Sequence, residues 1–231
     1  MNLLQRSYTK ELLDKDDIPF EDIRKNMQEL DFINTWLGGH AITIKGLQIL
    51  LQKRNTISVC EIGCGGGDNL AAIKKWCIKN NIKVICTGID IKKECIEFAI
   101  QKNNPGDTKW IASDYKQVIF EQKPDIIFSS LFCHHFTQEE LVYQLKWMKE
   151  NSIVGFFIND LHRHKAAYYS IKMLTQLFSS SYLVKNDAPL SVCRGFIKKE
   201  WDDIFATAGI SKYSIQWKWA FRHLIIYRQY E

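Results

Sequence analysis

The residues best suited to ligand chemistry lie in the stretch VCEIGCGGGDNL, residues 59 to 70. Its four glycines follow an apolar run and precede a segment with helical periodicity. The first N–H groups of a helix have no partner within the helix, so a bare backbone there favours polar or anionic groups of a ligand. The pattern therefore predicts a nucleotide-type ligand. The candidates are a dinucleotide, a nucleoside triphosphate and S-adenosylmethionine.

The spacing within this turn excludes two of the three ligands. A dinucleotide fingerprint, G-x-G-x-x-G, that starts at Gly63 and Gly65 requires a glycine at position 68, where the chain has Asp68. A triphosphate loop requires Lys followed by Ser or Thr at the start of the helix, and the chain lacks this pair there. The remaining pattern is E-x-G-x-G-x-G, formed by Glu61, Gly63, Gly65 and Gly67.

A second acidic residue, Asp90, ends the next apolar stretch in TGIDI. Its carboxylate can accept hydrogen bonds from both hydroxyls of a ribose. With the glycine turn and Asp90 in this order, residues 56 to 231 resemble the class I S-adenosylmethionine-dependent methyltransferases. The resemblance implies a Rossmann-like sheet, S-adenosylmethionine as the cofactor and a methyl-transfer activity.

The resemblance also implies roles for single residues. Gly63 and Gly65 would let the backbone approach the amino-acid part of the cofactor, because they lack a Cβ that would block it. Glu61 would orient the ammonium of the cofactor, directly or through water. The other expected cofactor contacts are Gly67 in the turn, Asp90 on the ribose, Ile91 on the adenine ring, Asp114 on the adenine amino group, Tyr115 beside it, and Ser130 at the end of the fourth apolar stretch.

Histidines are the candidates for acid–base chemistry. His134 and His135 follow the fourth apolar stretch, and the fifth ends in FFINDLHRH, which carries Asp160, His162 and His164. In an open α/β sheet both stretches end at the edge where ligands bind. A histidine side chain titrates near pH ~6.5 and can accept a proton at neutral pH. We expect His134 or His135 to be a general base, with His162 as second choice.

The acceptor of the methyl group is indicated by a further resemblance. The chain lacks the [DN]PP[YF] motif expected of an enzyme that methylates a nucleobase amine. The stretches ELDFINTWLGGH, SSLFCHHF, INDLHRHKAAYYSIKMLTQLF and NDAPLSVCRGFIKKEW resemble bacterial small-molecule methyltransferases of polyketide and aromatic-pigment pathways. They imply a phenolic or polyketide-like acceptor, with oxygen favoured as the methylated atom. The alternatives are an RNA or protein methyltransferase, a C-methyltransferase of an aromatic or quinone precursor, and a cofactor-binding protein without activity.

The sequence predicts an apolar pocket and no metal. Sulfonium methyl transfer needs a metal only to activate catechol-like oxygens, and the paired aspartates of that branch are not evident. Large apolar residues that could form a pocket wall are Trp36, Tyr168, Tyr169, Met173, Leu174, Leu177 and Phe178.

The elements that must position these residues follow from the periodicity of apolar side chains. Buried strands are predicted at 56–62, 83–89, 108–112, 124–130 and 152–159, with helices at 68–80, 92–103, 137–149 and 163–178 between or after them. This alternation predicts a doubly wound, mainly parallel α/β sheet. After a polar stretch at 179–196, to which no element is assigned, come a helix at 198–209 and a C-terminal antiparallel hairpin, which brings the sheet to seven strands. We expect residues 1–55 to form an N-terminal helical cap and residues 56–231 the cofactor-binding domain.

Composition limits the class of protein. The chain has 231 residues and a net charge of +5, but its basic residues are scattered among 26 acidic ones, so nucleic acid is not an expected partner. Apolar runs are far shorter than the ~20 residues that span a bilayer, and the N-terminus lacks the core of a signal peptide. Seven cysteines form no CxxC pair, which favours a reducing cytoplasm. The sequence leaves the oligomeric state open.

Overall fold

The computed structural model describes residues 3–15, 17–103 and 108–229. Within them lies a seven-stranded sheet in the order β3-β2-β1-β4-β5-β7-β6. The strands are β1 (Thr56–Ile62), β2 (Lys83–Asp90), β3 (Thr108–Ala112), β4 (Ile126–Ser130), β5 (Gly155–Leu161), β6 (Tyr213–Lys218) and β7 (Arg222–Arg228). Strands β1 to β5 run parallel, and β7 pairs antiparallel with β5 and with β6. The predicted fold class is confirmed.

Helices cover both faces of this sheet. They are α1 (Phe20–Trp36), α2 (Gly39–Leu51), α3 (Asp68–Lys79), α4 (Lys93–Lys102), α5 (Gln138–Asn151), α6 (Lys165–Phe178), α7 (Tyr182–Arg194) and α8 (Lys198–Thr207). On one face, α2 and α3 bury Leu47, Leu50 and Ile73 against the strands. On the other, α5 and α8 bury Met148 and Trp201. The two-sided burial explains why the central strands are almost continuously apolar.

One prediction about the elements was wrong. The polar stretch at 179–196, to which the sequence assigned no element, contains α7. Its Ser, Asn and Asp residues and an internal Pro189 all disfavour a helix interior. The helix nevertheless forms, because Ser181 caps its start by accepting a hydrogen bond from the Val184 N–H, and because it buries Leu183 and other apolar residues. Tertiary packing here outweighs propensity.

The N-terminal part of the chain packs in two ways. Helix α2 lies against β5, β4 and β7, inside the helical layer of the sheet. Helix α1 contacts α2, α4 and α7, and it lines the main cavity. A boundary between a cap and a domain at residue 55 stays a prediction. Every helix among the described residues is too short or too polar to cross a lipid bilayer.

Candidate active site

A cavity of about 1060 Å³ opens at the carboxyl ends of the parallel strands. This exceeds the roughly 300–1,000 Å³ of common ligand pockets, so it has room for more than one bound group. It lies where the strand order reverses between β1 and β4, which is where open α/β sheets bind ligands. We call its two parts the glycine end, lined by Glu61, Gly63, Gly65, Asp90 and Ile91, and the histidine end, lined by His134, His135, Leu161, Leu174, Trp219 and Arg222.

The absence of a Cβ has a different structural effect at Gly65 than at Gly63. A Cβ on Gly65 would meet no atom within 4 Å, so its absence enlarges the cavity. A Cβ on Gly63 would lie 2.2 Å from the Phe132 ring, and its φ of +67° also favours glycine. Gly67 lines neither cavity described here and serves as the N-cap of α3, where a Cβ would lie 2.3 Å from the Trp110 ring.

Glu61 presents a buried carboxylate oxygen to the glycine end. The residue is 1% exposed, and its Oε1 accepts a hydrogen bond of 2.9 Å from Asn69 Nδ2. Its Oε2 has no hydrogen-bond partner among the described residues. Burial raises the pKa of Glu61 well above its ordinary value, although the Asn69 hydrogen bond opposes this. An oxygen left in this state fits a cationic ligand group, such as an ammonium.

Asp90 lies at the end of β2, facing the same space. Its two oxygens each accept one backbone hydrogen bond of 2.9 Å, from the N–H groups of Gly65 and Lys92. Burial raises the pKa of Asp90, and these hydrogen bonds lower it in part. Each oxygen keeps a second lone pair, so the carboxylate can still accept from a pair of ribose hydroxyls.

A smaller cavity of about 130 Å³ adjoins the glycine end. It is lined by Asp114 and Tyr115 and shares Asp90 and Ile91 with the main cavity. Asp114 also caps the short turn that follows β3, by accepting from the Lys116 N–H. Ile91 borders both cavities and its side chain is 70% exposed, so its apolar surface is free to pack against an adenine ring.

These features fit the three parts of S-adenosylmethionine in order. The orphaned Glu61 Oε2 suits the ammonium, Asp90 suits the ribose, and the smaller cavity suits the adenine. Ser130 also lines the main cavity, and its Oγ accepts a hydrogen bond of 3.2 Å from Asn159 Nδ2. The roles of these residues stay predictions, but the structure brings all of them except Gly67 to the two cavities.

At the histidine end, His134 forms a dyad with Asp160. The His134 Nδ1 lies 2.8 Å from Asp160 Oδ1, and both residues are at most 3% exposed. A carboxylate at Nδ1 fixes the tautomer that carries its proton there and leaves Nε2 as an acceptor. Although burial raises the pKa of Asp160, the neighbouring His134 and the Leu161 N–H lower it below its ordinary value. The carboxylate therefore stays ionised, and it orients the imidazole.

His135 has a similar partner from a distant part of the chain. Its Nδ1 lies 3.1 Å from Asp14 Oδ1. The Nε2 atoms of His134 and His135 lie 3.8 and 4.0 Å from the two oxygens of buried Glu11. Ligand atoms of these three residues lie within 4.8 Å of one another, so a divalent cation could fit between them. Arg194 already places a guanidinium nitrogen 3.9 Å from Glu11 Oε1, which opposes a second positive charge.

Glu11 and Asp14 belong to an N-terminal strap, residues 3–15, that lies across α7 and the histidines. Asp187 of α7 accepts from the N–H groups of Leu12 and Leu13 at 2.8 and 2.9 Å. Arg6 donates to the carbonyls of His134 and Phe136, which follow β4. The sequence did not predict the strap, because the local pattern of residues 3–15 does not indicate which distant residues the strap contacts.

His162 is not brought to this site. It lines neither cavity in the described part of the chain, and its ring centroid lies 4.8 Å from that of His223, with the two ring planes tilted by 45°. Its position gives no support for a role as base. Of the apolar residues expected to wall the pocket, Leu174 lines the main cavity, whereas Tyr168 is buried outside its lining and the others are exposed: Trp36, Tyr169, Met173, Leu177 and Phe178.

Comparisons with known proteins agree with this geometry. Residues 59–150 match the sequence profile of a family described as a methyltransferase domain. The match runs from within β1 to the last turn of α5, which is less than half of the chain, and it includes the glycine turn, Asp90 and both histidines that follow β4. Among curated protein sequences, none matches this chain.

Solved structures of methyltransferases share the fold. The plantazolicin methyltransferase BpumL in complex with SAH is 23% identical, with 88% of this chain and 76% of that chain covered and a TM-score of 0.64. The same protein with a triazolic desmethylPZN analog and SAH gives 20% identity, coverage of 86% and 74%, and a TM-score of 0.64. Human N-acetylserotonin methyltransferase in complex with SAM is 14% identical, with 90% of this chain but only 56% of that chain covered and a TM-score of 0.63.

Proposed function

We propose that this chain is a class I methyltransferase that depends on S-adenosylmethionine, and that it methylates a hydroxyl group of a small phenolic or polyketide-like acceptor. The observation that carries the proposal is the buried His134–Asp160 dyad beside a cavity large enough for two ligands. Such a dyad removes a proton from a hydroxyl as that oxygen attacks.

The roles of the residues follow from their positions. Bound S-adenosylmethionine supplies a methyl group already activated on a sulfonium. Glu61 Oε2 holds the ammonium of the cofactor, and Asp90 holds its ribose hydroxyls. His134 Nε2 accepts the proton of the acceptor hydroxyl, while Asp160 holds the ring in the required tautomer. Glu11, 3.8 Å from Nε2, stabilises the positive charge that forms on the ring.

The lining of the histidine end supports an aromatic or otherwise apolar acceptor. Side chains from α1, α6 and the β6–β7 turn close this part of the cavity, among them Met27, Leu30, Ile171, Leu174 and Trp219. Apolar walls with a few fixed polar groups are typical of small-molecule pockets. An RNA or protein substrate would instead need an open, charged surface. The cysteines Cys60, Cys64, Cys77 and Cys133 are buried thiols, and we place the activity in the cytoplasm.

The test is a screen of hydroxylated aromatic compounds with purified protein and S-adenosylmethionine. Each compound is paired with its O-methyl ether, and S-adenosylhomocysteine release is measured together with product mass and NMR. We expect turnover with free hydroxyls, none with the ethers, and an O-methyl product. A C-methyl product, or transfer only to RNA or protein, would contradict the proposal.

A further inference from the structure

Arg222 is a buried cation at the histidine end whose charge is not matched by a neighbour. It starts β7, is 3% exposed and lines the main cavity. Its Nε and Nη1 have no hydrogen-bond partner among the described residues. Buried guanidinium groups are ordinarily paired with a carboxylate or with several carbonyl oxygens, because an unpaired buried charge is costly.

The register of the sheet explains why no neighbouring carboxylate neutralises Arg222. In the antiparallel pairing of β5 with β7, Arg222 lies opposite Leu161, and Asp160 lies opposite His223. Successive side chains point to opposite faces, so Asp160 and Arg222 face apart. Both oxygens of Asp160 are also occupied: Oδ1 by His134 Nδ1 and the Leu161 N–H, and Oδ2 by the N–H groups of Phe132 and His134.

The guanidinium keeps its charge in this position. Burial lowers the pKa of Arg222 to about 10, and the nearby Asp160 raises it only in part. At neutral pH the group is therefore still protonated. Its charge is therefore available to an anion that enters the cavity.

Arg222 shares its part of the cavity lining with a second polar side chain, Asn34. Arg222 and Asn34 both lie over Gly39, at which a Cβ would lie 3.1 Å from Arg222 Nη1 and would overlap Asn34 Oδ1. Asn34 lines the cavity as well, and its Oδ1 has no partner among the described residues. The side-chain oxygen and nitrogen of an Asn are interchangeable by rotation, so its amide can donate to the same ligand.

We propose that Arg222, assisted by Asn34, receives a carboxylate group inside the cavity. A guanidinium fork binds a carboxylate through two parallel hydrogen bonds, and a side-chain amide can donate a third. The carboxylate has two sources: an aromatic hydroxy acid as the methyl acceptor, or the amino-acid end of S-adenosylmethionine. The first source rests on the proposed function, and the second does not.

Calorimetry without turnover distinguishes the two sources. The first arm compares S-adenosylhomocysteine with 5′-methylthioadenosine, which lacks the amino acid. The second arm uses protein saturated with S-adenosylhomocysteine and compares 1-hydroxy-2-naphthoate with 1-naphthol, which lacks the carboxylate. Both arms are run on the wild type, on Arg222→Met and on Arg222→Lys. Arg54→Met is the matched control, because Arg54 is half exposed and pairs with Asp125 at the opposite edge of the sheet.

We expect Arg222→Met to weaken binding of the carboxylate-bearing compound in one arm by about 10-fold or more, with little change for its carboxylate-free partner. Arg222→Lys should lose less, since it keeps the charge but not the fork, and it also serves if Arg222→Met fails to fold. A loss in the first arm assigns the carboxylate to the cofactor, and a loss in the second assigns it to the acceptor. If both Arg222 variants bind S-adenosylhomocysteine and hydroxynaphthoate within about twofold of the wild type, the inference is overturned. Because no arm needs catalysis, absence of methyl transfer in the screen would leave this result unaffected.

Discussion

The two ends of the cavity differ in the charged groups that they present. The glycine end presents the carboxylates of Glu61 and Asp90, whose pKa values burial raises. The histidine end presents two imidazoles, each beside a carboxylate of Glu11 or Asp14, and the guanidinium of Arg222, which lacks such a partner among the described residues. The first end is built to receive a cation and hydroxyl donors, and the second to receive a proton and an anion. A sulfonium bound between the two ends would lie next to an acceptor oxygen at the histidine end, and such positioning is what in-line methyl transfer requires.

The most damaging change at the histidine end should be His134→Gln. Gln keeps a polar side chain but cannot act as a base at neutral pH. We expect turnover to fall roughly 10²- to 10⁴-fold, while calorimetry shows unchanged affinity for S-adenosylhomocysteine. The deficit should shrink between pH 7 and pH 9.5, because a phenol with a pKa near ~10 increasingly ionises unaided.

The matched control for this variant is His162→Gln, since His162 lies outside both cavities in the described chain. It should keep near-normal turnover. If His134→Gln is as active as this control at neutral pH, proton removal at the histidine end has to be given up in favour of positioning alone.

A change at the glycine end should instead act on cofactor affinity. Asp90→Ala removes hydrogen bonds to a charged acceptor, which costs about 1.5–3 kcal/mol and weakens binding of S-adenosylmethionine roughly 10- to 150-fold. Calorimetry measures this, with the exposed Asp203→Ala on α8 as the control. If the wild type and Asp90→Ala bind S-adenosylmethionine with equal affinity, Asp90 does not contact the cofactor. The assignment of the glycine end to cofactor binding would then lose its support.

The raised pKa of Glu61 predicts an effect on stability that depends on pH. Because the folded protein holds this proton more tightly than the unfolded chain, stability from Glu61 is present below the ordinary carboxyl range and is lost as the pH rises. Glu61→Gln should therefore raise the melting temperature of the ligand-free protein at pH 7–8, by about 2–4 °C for each kcal/mol recovered. The gain should vanish towards pH ~4. The same variant should bind S-adenosylmethionine more weakly. A melting temperature that falls at neutral pH would show that Glu61 is paired within the protein.

The smallest effect is expected from a chelator. Arg194 lies 2.8 Å from Asp14 and 3.9 Å from Glu11, so the carboxylates beside the histidines already have a cation next to them. We expect EDTA to change turnover by less than about twofold, and added zinc or magnesium to give no stimulation. Loss of turnover that a divalent ion restores would identify Glu11, His134 and His135 as a metal site.

The two ends also differ in how far the sequence predicts them. The glycine turn and Asp90 are local: each follows its own strand, and parallel pairing of β1 with β2 brings them together. The spacing of these residues along the sequence is enough to predict the cofactor site, so no structure was needed to find them. The strand and helix pattern likewise predicted the sheet, because buried strands and amphipathic helices leave distinct periodicities.

The histidine end could be predicted only in part. His134 and Asp160 were placed at one edge, but their pairing depends on side-chain direction at the ends of two strands. His162, two residues after Asp160, lies away from the cavity beside His223. The strap and Arg222 could not be predicted, because their partners are set by contacts between remote segments. Helix α7 was missed because Pro189 and the polar residues disfavour a helix locally, whereas the packing that stabilises it involves distant parts of the chain.

The place of β7 in the sheet bears on how the protein is made. Among the described residues it is the last strand along the chain, yet it lies between β5 and β6 and is therefore not an edge strand. On the ribosome, β1 and β2 can pair early, because Thr56 and its partner Lys83 emerge close together. Strand β5 can pair with β7 only after Arg222, the partner of Leu161, has been synthesised, and pairings between such distant residues form slowly. The glycine turn is therefore translated well before β7, and a translation product that stops short of β7 lacks Arg222 and so one wall of its binding site.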